Sequence, residues 1–219
     1  MTGSTSVSGR IYEHLRTAIL AGEYDSLPSE RRLSEELGAS RHAVREALKR
    51  LQQSGLIRIS HGGATRVRDW RRHGGLELLL ELGAADELPP GLGIERAVLE
   101  MRASVGADAA RRCATRATAV IRAELEARAE MLAAEQSLEA RNTIYEAFWD
   151  LVIEGADNLA YRLALNTLVA GQQVLALDAS LIHAELEDPD AIRALAAVIA
   201  AGDEQRAHEA ARALLERSA

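Results

Sequence analysis

Cysteine occurs once in the 219 residues, as Cys113, so an internal disulfide is excluded and a cysteine-based zinc site lacks ligands. Long apolar runs are missing too. The longest stretch of small apolar residues, Ala194 to Ala201, falls well short of the roughly 20 needed to cross a bilayer, and no apolar signal core stands near the N-terminus. Those absences predict a cytoplasmic protein with no membrane partner. Catalytic signatures are also lacking: there is no phosphate loop, nucleophile elbow, dinucleotide fingerprint or paired His/Cys arrangement. No enzyme activity and no cofactor are expected. Aromatics are scarce, at four Tyr, two Trp and one Phe, which gives weight to any place where they gather.

The formal charge of −7 argues against a polyanionic partner until it is divided along the chain. Residues 1–75 carry 13 Lys and Arg against 8 Asp and Glu, whereas the remaining 144 carry 13 against 25. A basic end on an acidic body suits a protein that approaches phosphate with one part only.

Within the basic part, residues 27–62 hold the clearest pattern. Leu33 and Leu37 fit a short helix that Gly38 can close in a left-handed conformation. Ser40 suits the N-cap of a second helix, in which Val44, Ala47, Leu48 and Leu51 form one buried stripe. Arg41, His42, Arg45 and Lys49 face away from that stripe. Ser54-Gly55 ends the helix, residues 56–60 and 65–68 alternate as strands, and His61-Gly62-Gly63 makes the turn between them. This is a helix-turn-helix followed by a two-stranded wing. Upstream, Ile11, Leu15, Ile19 and Leu20 mark an amphipathic first helix ended by Gly22, residues 24–28 read as a turn, and Ser29 caps the next helix.

The segments Leu-Pro-Ser-Glu-Arg at 27–31, Ser-Arg at 40–41 and Val-Arg-Glu-Ala-Leu at 44–48 resemble the winged helix of the GntR regulators. The wing residues His61-Gly62 and Thr65-Arg66-Val67, with the later Gly74-Gly75-Leu76, look most like the FadR branch. The resemblance implies that Arg31, Arg41 and Arg45 read bases or hold phosphates in the major groove. It also implies that His61 and Gly62 reach the minor groove. Arginine suits a guanine edge because its fork donates to O6 and N7 together. Ser40, Lys49 and Arg66 fit phosphate contacts, which position without specifying sequence. Double-stranded DNA with a palindromic operator, a homodimer and a small-molecule effector are the partners implied.

Beyond residue 75 no strand is evident. Apolar spacings at Ile94/Val98/Met101/Val105, Val120/Leu125/Met131/Leu132, Ile144/Phe148/Leu151/Val152, Leu159/Leu163/Leu168 and Ile192/Leu195/Ile199 predict helices, with a last one over 204–216. The fold class is therefore mainly α: an N-terminal winged helix-turn-helix with a two-stranded wing, plus a C-terminal all-helical bundle of six or seven helices. The boundaries are a disordered tail at 1–7, the DNA-binding domain at 8–68, a linker at 69–75 and a helical effector-binding or dimerisation domain at 76–219.

Many GntR relatives of the FCD type hold a divalent metal in that bundle through an Asp and a His four apart on one helix and two later histidines. Here Tyr145 and Trp149 stand at the first two positions, and only His183 and His208 remain downstream, so no metal is expected. Tyr145, Phe148 and Trp149 share one helical face, which fits either a packed core or the wall of an apolar ligand pocket. Arg102 resembles the arginine that such domains direct toward a carboxylate ligand, and Asn166 and Gln172 are candidates for added amide contacts. Ion pairing is the competing role for these residues. The expected effector is a small acid, an acyl-CoA or a carboxylate. An effector-independent dimer and a helical enzyme with a DNA anchor are the alternatives.

Overall fold

The computed structural model describes residues 6–59, 65–78, 93–174 and 179–218, with backbone only for 169–174 and 179–182. The chain forms two compact units that divide between Leu92 and Gly93.

In the first unit the order is α1 (Val7–Leu20), β1 (Ser26–Leu27), α2 (Glu30–Glu36), α3 (Arg41–Gln53), β2 (Ile57–Arg58), β3 (Thr65–Val67) and α4 (Trp70–His73). Helix α1 begins inside the segment expected to be a disordered tail, because the Ser6 hydroxyl accepts the Gly9 N–H at 3.1 Å. Ser29 and Ser40 cap α2 and α3 in the same way. Gly38, at φ +58°, closes the connection between those two helices.

The sheet has a third strand that the sequence conceals. Ser26 and Leu27, expected in a turn, pair antiparallel with Arg66 and Thr65 on the free edge of β3, while β2 occupies the other edge. Pairing carries Leu27 into the core, and Pro28, which has no N–H to donate, follows the strand. That core joins Ile11, Leu15 and Ile19 of α1 to Leu33, Val44, Leu48, Leu51, Leu56 and Ile57. Each such side chain contributes about 1.5–3 kcal/mol by leaving water. Tyr12 ties α1 to the end of α3: Arg50 stacks 3.9 Å over its ring and its hydroxyl meets Ser54 Oγ at 3.3 Å.

The polar segment 69–75 is partly ordered on this unit. Asp69 caps the single turn of α4, and that turn lies so close to Gly55 that a Cβ there would fall 2.8 Å from the His73 carbonyl.

The described residues of the second unit form seven helices: α5 (Ile94–Arg116), α6 (Ala119–Ala134), α7 (Leu138–Gly155), α8 (Leu159–Val174), α9 (Ala179–Leu186), α10 (Pro189–Ala200) and α11 (Glu204–Leu215). Helix α5 is central, packed on α7, α8, α10 and α11. From Ala103 onward its buried side is made of small residues, Ala103, Gly106, Ala107, Ala110, Cys113 and Ala114, which lets neighbours approach closely. A Cβ on Gly106 would sit 2.5 Å from Leu215, and one on Gly155 of α7 would sit 2.5 Å from Cys113 Sγ.

Several residues expected to face the core do not. Val120 is 65% exposed and Met131 51%, because the stripe that α6 buries runs through Leu125, Ala129 and Leu132. On α8, Leu168 is buried, but Leu159 and Leu163 are 73% and 57% exposed. Arg122 locks two helix ends. Its guanidinium donates to the carbonyls of Ala114 and Ala117 at the end of α5 and of Ile199 and Ala200 at the end of α10, at 2.6–3.1 Å.

Candidate nucleic-acid interface and buried anion site

The geometry of α3 follows from its cap and its stripe. Ser40 fixes the first turn by accepting the Ala43 N–H at 3.2 Å, and this bond leaves the hydroxyl's own proton available. With Val44, Ala47, Leu48 and Leu51 buried, Arg41, Arg45 and Lys49, each four residues after the last, are left in solvent on the opposite side. Arg31 on α2 is exposed and paired with Glu35 at 2.8 Å. Arg66 is exposed on β3, opposite Ser26 and Arg58. His61 and Gly62 lie outside the described residues.

Arg45 has a partner that sequence reading did not find. Glu30, at the start of α2, accepts from its Nη2 at 2.8 Å and from its Nε at 3.2 Å. The hydrogen bond from Arg45, aided by the charges of Arg45 and Arg41, holds the Glu30 carboxyl below its ordinary value. The same bond raises the Arg45 guanidinium. The pair spans the two helices of the helix-turn-helix, so Arg45 leaves α3 already oriented. Capping box logic, which looks for Glu three residues after a serine cap, does not reveal a contact 15 residues away.

In the second unit, three of the candidate residues come together. Arg102 of α5 makes a two-pronged pair with Glu185 of α9, Nη1 to Oε1 at 2.5 Å and Nη2 to Oε2 at 2.8 Å. Tyr145 of α7 donates its hydroxyl proton to the same carboxylate. Glu185 and Tyr145 are fully buried and Arg102 nearly so. Burial alone disfavours the charged guanidinium, but the hydrogen bond and charge of Glu185 outweigh it and keep Arg102 protonated. Burial, then the charge of Glu185, pushes the Tyr145 phenol up, so it remains a donor.

Trp149, one turn beyond Tyr145, stacks edge-on against it at 6.2 Å. Its indole N–H acts weakly on the Tyr145 oxygen but has no hydrogen-bond partner. Asn166, by contrast, is exposed on α8, and the Gln172 side chain lies outside the described residues.

These groups do not fit a divalent metal. Trp149 has no lone pair to offer, Tyr145 holds its proton, and among the described residues no three His, Cys, Asp or Glu converge. His183 pairs with Glu187 at 3.2 Å on the exposed side of α9. Another polar cluster clips α5 to α8: Asp108 accepts from Arg111 at 2.6 Å, from Arg112 at 2.8 Å and from the Tyr161 hydroxyl. An open cleft of about 610 Å³ between α5 and α11 is lined by Arg96, Glu100, Ser104, Arg212 and Glu216. Its four charged residues are already paired with one another.

A winged helix that presents arginines from a capped recognition helix, joined to an all-helical unit, defines a DNA-binding transcription regulator. The comparisons give the family. Residues 7–67 match the model of the bacterial regulatory proteins of the gntR family, and residues 97–217 match the FCD domain. The chain is 37% identical to the HTH-type transcriptional regulator Mce2R of Mycobacterium tuberculosis, over 96% of this chain and 89% of that protein. A fatty acid metabolism regulator protein of Shewanella baltica is 41% identical over 31% of this chain and 28% of its own length. Two solved structures share the fold. One is a GntR protein of Streptococcus agalactiae (TM-score 0.50, 18% identity, 96% of this chain and 97% of that one). The other is a GntR family regulator from Pseudomonas syringae (TM-score 0.50, 20% identity, 96% and 82%). The chain belongs to the GntR family, in its FadR/FCD subfamily; it is a DNA-binding transcription regulator with an FCD effector domain and not an enzyme. Among the described residues no helix is long and apolar enough to cross a membrane.

Proposed function

We propose that two copies of the chain bind a palindromic operator, each with α3 in the major groove, and that a small acidic effector in the FCD unit sets the affinity. In this reading Arg41 and Arg45 read base edges and Arg31 assists them, each good guanine contact discriminating by about 1–3 kcal/mol. Ser40, Lys49 and Arg66 hold phosphates, and the wing tip at His61 and Gly62 enters the minor groove. Leu159 and Leu163, exposed one turn apart on α8, support a second copy as partner for the bundle. The dimer then sets the spacing of the two recognition helices, and the effector biases that spacing.

The observation that carries the effector's class is the buried Arg102, with the Tyr145 and Trp149 donors beside it, inside an FCD domain. A buried guanidinium asks for an acid such as a carboxylate or an acyl-CoA. The pairing of Arg102 with Glu185 favours one other reading, a bundle that only dimerises, because the cation is already satisfied from within.

Fluorescence anisotropy on DNA from upstream of the gene, with acyl-CoAs or simple carboxylates added, separates the two. Relief or enhancement of binding by one of these classes supports the acidic effector. Operator binding that every tested acid leaves unchanged supports the dimerisation reading. In the same assay Arg41→Ala reduces operator affinity with the fold retained; unchanged affinity and salt dependence would remove α3 from the interface.

A further inference from the structure

Buried ion pairs are a poor means of stabilising a helical bundle, because hydrophobic residues of similar volume do as well or better. The Arg102–Glu185 pair also has a neighbouring donor that it leaves unmet. Arg102 and Tyr145 converge on the Glu185 carboxylate, yet Trp149, only 8% exposed, keeps an indole N–H beside them that acts only weakly on the Tyr145 oxygen and makes no full hydrogen bond. A carboxylate offers about four acceptor positions. The cluster is thus built to hold an anion and is incompletely met by the one that fills it.

We propose that Arg102, Tyr145 and Trp149 form a recognition site for a monoanionic carboxylate, and that Glu185 is its intramolecular occupant. The effector carboxylate enters by exchange with Glu185, takes up the spare Trp149 N–H and releases the end of α9. This rests on reading the second unit as an effector domain.

Three features identify α9 as the part that yields. Among the described residues it is the shortest helix of its unit, at 8 residues, against 23 for α5 and 18 for α7. Among the described residues its packing is chiefly on α7, besides the ion pair to α5. Helices α5 and α7, which carry the donors, are locked to their surroundings by the close approaches at Gly106 and Gly155. Exchange also spares Arg102 from ever being buried without an anion, the state that costs most. A single guanidinium matches a single negative charge, so a carboxylate is favoured over a phosphate dianion. A tethered carboxylate competes at an effective concentration of the order of millimolar, so the true ligand must add contacts of its own, of which Trp149 is the first.

The test removes the occupant and supplies it in solution. Thermal unfolding of full-length Glu185→Ala is followed in sodium acetate and sodium propionate against sodium chloride of equal ionic strength. The expected result is a rise of several degrees for Glu185→Ala, little change for the wild type, and none for Glu185→Ala/Arg102→Leu. Equal responses in all three proteins, or none in any, overturn the proposal. Should Glu185→Ala fail to fold, Glu185→Gln preserves shape and hydrogen bonding. In a Trp70→Phe background its Trp149 fluorescence should report propionate binding at least tenfold tighter than the wild type, and equal affinity overturns the proposal. Operator anisotropy on the same proteins separates this from the effector reading. Rescue by propionate with no change in operator affinity keeps the site and rejects the coupling. An operator response to carboxylates that survives Arg102→Leu keeps the coupling and rejects the site.

Discussion

Arg122 offers the sharpest test of how the bundle is held. One side chain serves four carbonyls at the C-termini of α5 and α10, where the backbone has no helical partners left. It also brings a positive charge to two negative dipole ends, worth roughly 0.3–1 kcal/mol at each. In Arg122→Met the stem still packs and only the donors go. Water can replace part of the loss, because Arg122 is half-buried, but one or two carbonyls left dry would cost about 1–3 kcal/mol each. The expected destabilisation is about 2–4 kcal/mol, which lowers the melting temperature by roughly 6–15 °C for a chain of this size. Urea unfolding read from Trp149 in a Trp70→Phe background reports this unit alone. Arg122→Lys keeps the charge without the planar fork and should recover less than half. A change below about 0.5 kcal/mol in Arg122→Met would refute the reasoning, since surface substitutions far from any special contact fall in that range.

Other consequences follow from the same geometry. Glu30→Gln removes a negative charge from the DNA-facing side and loosens Arg45; the salt dependence of DNA binding should steepen by about one ion while discrimination against scrambled sequence falls, both read by anisotropy across salt. Asp108 is buried enough to disfavour its charge, yet Tyr161, Arg112 and Arg111 hold its carboxyl below the ordinary 3.8. Its contribution is therefore present above that value and is lost as pH falls below it, so the bundle of Asp108→Asn should lose less stability on acidification than the wild type. Gly155→Ala places a methyl 2.5 Å from Cys113 Sγ and should cost about 1–3 kcal/mol, and Cys113→Ala in the same chain should restore part of it. If the two substitutions prove additive in urea denaturation, that contact is not the source of the cost.

The first unit was legible because its signals are local. Ser29, Gly38 and Ser40 each act within three residues of their own position, and the stripe from Val44 to Leu51 needs only one helix to explain it. Strand β1 escaped because two residues carry no periodicity, and its partner β3 lies about forty residues on. In the bundle, helix existence was readable and so were most buried faces, such as Ile192, Leu195 and Ile199, but those of α6 and α8 only in part. Apolar residues such as Val120 and Leu159 stay in solvent, while the close approaches that set helix spacing lie at Gly106 and Gly155, beside the buried Ala107 and Ala110. Small residues are valuable there for what they leave out, and hydropathy does not register an omission.

Glu185 was the least legible of all, being one of 33 acids and lying 83 residues from the arginine it meets. Once placed, it changes what the aromatic pair on α7 means. By family resemblance Tyr145 and Trp149 stand where relatives carry metal ligands; here those positions supply O–H and N–H donors. A metal site built on histidines would release its anion as they gain protons near pH 6.5. This site has no such step: Arg102 is held protonated by Glu185 against burial, and Tyr145 is pushed up by burial, so both keep their protons throughout the neutral range. In Glu185→Ala, where the internal competitor is gone, burial alone still keeps the phenol protonated and guanidinium does not titrate. Propionate affinity measured by Trp149 fluorescence should then be flat from about pH 6 to 9. A transition with a histidine-like midpoint would mean that a group other than Arg102, Tyr145 and Trp149 controls the anion.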